Sequence, residues 1–191
     1  MNRLRTDDDG KKHRDMFEPT DENFNEMFNE IISMVESSVF TPDGTKTYAP
    51  TVFLKYRTAN DDDSLSEIKL AVFVIDGDFN NGETKNEVMY KIGREIFKYQ
   101  LLPVGIFFAS EAWMSRLNDG KTMPSQDPNR QEVIICAGRT VSNKHSVGLS
   151  IPIKRNKDGT IMADGEKIKT DKIQTGLLER LLAGYFEFLL K

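Results

Sequence analysis

Apolar residues recur at helical spacing in three parts of the chain. The first part follows Thr20, the predicted N-cap, and consists of Phe24, Phe28, Ile31, Ile32 and Val35. The second follows Thr84 and Glu87, which match a capping box, and consists of Val88, Ile92, Ile96 and Tyr99. The third begins near Ile173. These patterns predict three amphipathic helices, the last at the C-terminus.

Shorter apolar runs between the helices predict β-strands. The predicted strands cover residues 51–57, 68–75, 102–109, 132–138 and 146–154, with a further short strand at 160–163. A helix separates the second strand from the third, so we expect a crossover that leaves these two strands parallel. Pro152 lacks a ladder donor, which favours a position toward a sheet edge for its strand. The fold prediction is therefore α/β (α+β), with a mixed central β-sheet of about five main strands, helices packed on it and a C-terminal helix.

The first 19 residues differ from the rest of the chain. They mix basic and acidic side chains with few apolar ones, so they cannot bury enough surface to offset the entropy lost on ordering. We predict a mobile charged tail over residues 1–19 and a single α/β domain over residues 20–191.

Composition narrows the class of protein. The chain has 191 residues, of which 38% are hydrophobic and 29% charged, as is ordinary for a globular domain. Its net charge of −4 argues against a dedicated nucleic-acid binder, since such proteins are usually basic. The lone cysteine, Cys136, cannot form an internal disulfide. No signal-like segment or apolar stretch of about 18 residues is present, so we expect a cytoplasmic protein that does not enter the membrane.

Carboxylates at the ends of two predicted strands form the candidate metal site. Asp76 and Asp78 follow the second strand, and Glu111 follows the third. If the strands are parallel, these side chains emerge at one end of the sheet, where hard oxygen ligands could hold Mg²⁺ or Mn²⁺. The Glu-x-Lys continuation typical of many such nucleases is missing, and Asp76 and Asp78 could equally be turn residues.

Other catalytic constellations lack a necessary part. The two histidines, His13 and His145, belong to no zinc-binding motif. No Gly-x-Ser-x-Gly elbow is present, and Cys136 lies within an apolar strand. We therefore predict no catalytic residue.

A polar motif lies around the predicted strands 102–109 and 132–138. It consists of Glu111-Ala-Trp113, Pro124-Ser125, Asp127-Pro128, Arg130 and Glu132. It resembles a pattern of uncharacterised bacterial and phage proteins, and the resemblance implies no activity. Asp127-Pro128 fixes a turn, while Arg130 and Glu132 can project from one side of a strand. We take Glu111, Trp113, Asp127, Arg130 and Glu132 as candidate binding residues, although a structural salt bridge or loop clamp would explain them equally well.

The functional hypothesis is a non-enzymatic binding, regulatory or assembly module of a prokaryote or phage. The alternative is a metal-dependent hydrolase or nuclease that uses the strand-end carboxylates.

A homodimer through the C-terminal helix is also predicted. Apolar residues cover more of this helix than one core face needs, namely Leu177, Leu178, Leu181, Leu182, Tyr185, Phe186, Phe188, Leu189 and Leu190. The competing account places the helix in a groove between the sheet and the helix that contains Phe24 and Val35.

Overall fold

The computed structural model describes residues 18–61, 64–76, 79, 82–115, 126–170 and 176–187. Their elements, in chain order, are α1 (Asp21–Val39), β1 (Thr51–Arg57), β2 (Lys69–Val74), α2 (Gly82–Lys98), β3 (Leu102–Met114), β4 (Gln131–Arg139), β5 (Ser146–Arg155), β6 (Ile161–Ala163), β7 (Ile168–Thr170) and α3 (Gly176–Phe186). The α+β prediction is confirmed. The described residues contain seven strands rather than about five, and each strand pair among them is antiparallel, so the described sheet is antiparallel rather than mixed. The predicted tail lies almost wholly outside the described residues.

The strand order is β2-β1-β3-β4-β5-β6, and β7 also pairs with β5. Because β1 is antiparallel to both β2 and β3, these two strands run in the same direction, as the crossover predicts. They are not neighbours, since β1 lies between them. At the other end of the sheet, β6 pairs with residues 153–155 of β5 and β7 with residues 148–150. Pro152 lies between these two paired stretches.

The first core lies between the sheet and α1. Thr20 is the N-cap as predicted, since its hydroxyl accepts a hydrogen bond from Asn23 N at 3.2 Å. The centre of this core is Phe107 of β3, which is fully buried and stacks with Phe24 and Phe28 at centroid separations of 5.7 and 6.1 Å. Helix α1 therefore lies across the middle of the sheet.

The second core lies on the opposite face, under α2 and α3. Helix α2 begins at Gly82, so the predicted capping box is wrong: Thr84 lies inside the first turn. The two helices touch through glycines. A Cβ atom on Gly93 would lie 1.9 Å from Leu181 O, and one on Gly184 would lie 2.1 Å from Tyr90 O. The backbones therefore approach more closely than any side chain allows.

The C-terminal helix buries four large apolar residues within one chain. Leu178, Leu181, Leu182 and Tyr185 are buried in the core formed with α2 and the sheet. The competing prediction placed this helix in a groove between the sheet and α1. That prediction is wrong, because α1 packs on the opposite face of the sheet. Residues 173–175 and 188–191, which the predicted helix included, lie outside the described part of the chain. Among the described residues, none of the helices has the length and apolar character needed to span a bilayer.

The glycine contact between α2 and α3 gives a first testable prediction. Alanine normally stabilises a helix interior by up to about 1 kcal/mol relative to glycine. At Gly184 the added Cβ meets the Tyr90 carbonyl, so we expect Gly184→Ala to destabilise the protein instead, by roughly 1–3 kcal/mol. Urea unfolding measures the change.

The control is Gly176→Ala in the same helix, where an added Cβ has no heavy atom within 4 Å. It should leave the free energy of unfolding unchanged or raise it. Equal effects of the two substitutions would contradict the close contact.

Candidate functional site

The candidate binding residues lie at one end of the β3–β4 hairpin. The predicted strand ended at residue 109, with Glu111 and Trp113 after it. β3 instead continues to Met114, so both residues lie within the strand. Trp113 is opposite Glu132 on β4. Side chains alternate along a strand, so Glu111 and Trp113 lie on the same face as Phe107, the face that α1 covers.

Arg155, the last residue of β5, holds the two glutamates of this hairpin. Its Nη2 lies 2.6 Å from Glu111 Oε2 and 2.5 Å from Glu132 Oε1, and its Nε donates to the same Glu132 oxygen at 2.9 Å. The guanidinium thus joins β3, β4 and β5. The hydrogen bond to Glu132 raises the pKa of Arg155 above its ordinary value, and the charge of Glu111 acts in the same direction.

The same network fixes the segment that precedes β1. The second oxygen of Glu111, Oε1, accepts a hydrogen bond from the backbone N–H of Tyr48. Arg155 Nη1 donates to the backbone carbonyl of Lys46 and, at 3.4 Å, to that of Gly159. Both oxygens of Glu111 are therefore engaged within the protein.

Asp127 fixes the turn that enters β4. Its side chain is buried, with Oδ1 accepting from Asn129 N at 2.8 Å and Oδ2 accepting from the Ser115 hydroxyl at 2.7 Å. Its carbonyl accepts from Arg130 N at 3.2 Å. The predicted turn at Asp127-Pro128 is confirmed, and Asp127 joins the end of β3 to the start of β4 as a structural clamp.

Trp113 and Arg130 form the exposed part of the site. The guanidinium carbon of Arg130 lies 4.2 Å from the centroid of the Trp113 ring, a cation–π contact. Trp113 is nevertheless 45% exposed, although large aromatic residues are usually mostly covered. This pair is the one part of the predicted motif with an aromatic surface open to solvent.

The two predicted metal ligands are only partly placed. Asp78 lies outside the described residues, and Asp76 follows the end of β2. Val74 and Ala109 are both level with Thr51 of β1, so Asp76 and Glu111 lie at the same end of the sheet, as predicted. β1 separates them, and Glu111 already binds Arg155. The described ranges contain no group of three or more His, Cys, Asp or Glu residues that could hold a metal ion.

The other reactive groups serve structural roles. Cys136 is buried beneath α1, and burial raises the pKa of its thiol to about 12, so little thiolate forms near neutral pH. His145 lies with Nδ1 2.6 Å from Asp21 Oδ1, and its ring stacks with Phe24 at 5.6 Å. It connects the β4–β5 turn to the start of α1.

Sequence analysis missed Arg155 as the centre of the network. A signal for it was present. Ser142-Asn143-Lys144, between the predicted strands 132–138 and 146–154, is typical of a hairpin turn, and such a hairpin places residue 155 level with the start of β4. The observed register, which aligns Val133 with Pro152, agrees with this placement. Arg155 then lies close to Glu132 on the same face of the sheet.

Comparisons with known proteins found no matching family model, no matching curated protein and no matching solved structure. The resemblance of the polar motif therefore stays a prediction, and the function has to be argued from geometry.

The Arg155 network gives a second prediction. In Arg155→Met, Glu111 and Glu132 lose their shared cation and face each other as like charges. Because all three side chains are partly solvated, we expect the free energy of unfolding to fall by roughly 1–3 kcal/mol in urea titrations.

Lys154→Met is the matched control, since Lys154 forms an exposed pair with Asp164 at 3.4 Å. Such pairs contribute about 0–1 kcal/mol. A loss for Arg155→Met no greater than that of the control would contradict the central role of Arg155.

Proposed function

We propose that this chain is a non-enzymatic binding, regulatory or assembly module of a prokaryote or phage, working in the cytoplasm. It contacts a protein partner through Trp113 and Arg130 at the end of the β3–β4 hairpin. The observation that carries the proposal is the exposed Trp113 ring with the Arg130 guanidinium over it. Tryptophan and arginine are among the residue types that contribute most to protein–protein binding energy.

Rigid support beneath these side chains strengthens the proposal. Glu132, directly opposite Trp113, is held by Arg155, and the turn before Arg130 is clamped by Asp127. A surface that is already ordered loses less conformational entropy on binding. The Trp113 surface therefore has the preorganised support expected of an anchor residue.

Two of the three carboxylates of the motif support binding rather than catalysis. Glu111 uses both of its oxygens, and Asp127 uses both of its own, in hydrogen bonds within the protein. A general base or metal ligand needs an oxygen that can face substrate or ion. Their geometry favours a role in positioning the hairpin.

A third prediction tests this binding surface. Immobilised full-length protein is used to capture a partner from the native host, and the affinity of the purified partner is then measured. Trp113→Ala should weaken binding by about 30-fold or more, as expected for a residue that contributes at least 2 kcal/mol.

Tyr99→Ala is the matched control. Tyr99 is also an exposed aromatic residue with a cation beside it, Lys98 Nζ at 5.3 Å from the ring centroid, but it lies at the end of α2. Equal affinities of the wild type and Trp113→Ala would contradict the proposed surface.

The alternative function, a metal-dependent hydrolase or nuclease, is favoured by one observation: Asp76 and Glu111 lie at the same end of the sheet. Under this alternative, Mg²⁺ or Mn²⁺ would compete with Arg155 for Glu111.

A fourth prediction tests this alternative. If the protein is a binding module, calorimetry with Mg²⁺ or Mn²⁺ should detect no metal binding that depends on Asp76. Metal binding at millimolar or lower concentration that Asp76→Ala removes, and Lys91→Ala retains, would favour the enzyme.

The predicted homodimer through the C-terminal helix has less support than the sequence offered. Four of the nine apolar residues on which that prediction rested are buried against α2 and the sheet of the same chain, namely Leu178, Leu181, Leu182 and Tyr185. Of the described apolar residues on this helix, Leu177 and Phe186 are the ones only partly buried.

A further inference from the structure

The outer edge of β2 is the end of the sheet, and no described strand pairs with it. At the opposite end of the sheet, the outer side of the long strand β5 is paired with β6 and β7. An uncovered edge presents unpaired backbone donors and acceptors, which can pair with another strand.

The hydrogen-bond register identifies which backbone groups of β2 point outward. Ile75 N donates to Pro50 O at 2.8 Å, and the pairing of Val74 with Thr51 continues the same register. In an antiparallel ladder, alternate residues bond to the neighbouring strand. The odd-numbered residues of β2 therefore bond to β1. The N–H and C=O groups of Leu70, Val72 and Val74 point away from the sheet.

Exposed apolar side chains belong to the same alternate set of residues. Val72 is 46% exposed and Val74 is 57% exposed, and Ile68, just before the strand, is 40% exposed. Natural sheets usually protect an open edge with charges, proline or a bulge. The only charged residue of β2 is Lys69, which lies on the opposite face, and the register with β1 is unbroken. The outward row of β2 has none of these protections.

We propose that a second copy of this chain pairs with β2 in an antiparallel arrangement, with the two-fold axis at Val72. The two sheets then become one continuous sheet across the dimer. Val72 lies opposite its own symmetry mate, and Leu70 lies opposite Val74 of the other copy. These are the residues whose backbone groups point outward, so each closes a pair of hydrogen bonds across the axis.

The choice of a second copy rests on self-complementarity. A two-fold contact requires a surface to match itself, and residues directly opposite each other must lie on the same sheet face. The Val72 axis meets both conditions, since it pairs Val72 with its own copy and Leu70 with Val74. It also places Lys69 opposite Ile75 rather than opposite another lysine, so no like charges meet. A strand of a different protein would need its own matching row.

The fifth prediction uses the full chain in sedimentation equilibrium across the micromolar range. We expect the wild type to have twice the chain mass. Val72→Pro removes an outward N–H that β1 does not use, and Val72→Lys places two cations on the axis. Both variants should reduce the mass by half.

Met162→Lys, at an exposed apolar residue of β6, is the matched control and should remain a dimer. Far-UV circular dichroism identifies any variant that has lost its fold, and Val72→Lys at this exposed position then decides the result.

Cysteine cross-linking tests the axis itself. Opposed residues of a hydrogen-bonded pair have Cα atoms about 5.5 Å apart, within the range that a disulfide spans. Val72→Cys should therefore form a covalent dimer on mild oxidation, whereas Met162→Cys should not, and the native Cys136 is buried. A wild type that stays monomeric throughout the range overturns the proposal. A dimer that survives both Val72→Lys and Val72→Pro also overturns it and assigns self-association to another surface.

Discussion

Phe107 can lie across the middle of the sheet only because glycine stands opposite it. A Cβ atom on Gly138 would be 2.4 Å from the ring, and one on Gly105 would be 3.0 Å from it. The ring fills the space that these two residues leave, and Phe24 and Phe28 of α1 stack against it. Truncating such a buried phenylalanine typically costs about 3–5 kcal/mol. The place of α1 on the sheet depends on this contact, and with it the whole first core.

The candidate site depends on the same face of the sheet. Along β3 the side chains on this face change from Phe107 and Ala109, which are buried, to Glu111 and then Trp113. The core thus ends where the charged network begins. Arg155 bridges the three strands beyond the reach of α1 and also fixes the segment before β1. At this end of the sheet, the ion pairs of Arg155 with Glu111 and Glu132 take the place of apolar packing. The Trp113 ring next to them stays exposed.

Local patterns predicted the helices and strands well and some of their ends poorly. The strand at 51–57 was predicted with its observed bounds, because its apolar and β-branched residues fix both its type and its ends. β3 was predicted too short, since Glu111 and Trp113 become strand residues only through pairing with β4. The capping box at Thr84 was also wrong, because helix α2 already begins at Gly82 and Thr84 lies inside its first turn. The five candidate binding residues did come together at one end of the hairpin, while Pro124-Ser125 lies outside the described residues. The cation that organises the two glutamates, Arg155, lies on a third strand.

The two proposed surfaces differ in what leaves them exposed. At the hairpin end, charged groups pair with one another and the Trp113 ring stays exposed, whereas the outer side of β2 has no neighbouring strand among the described residues. β1 lies between β2 and β3, so pairing at the outer edge of β2 occurs on the far side of β1 from Trp113. A dimer formed there would carry two hairpin ends. Two linked sites can raise the overall avidity for a repeating partner without any new contact. The edge of the sheet and the end of the hairpin would then act together in one assembly.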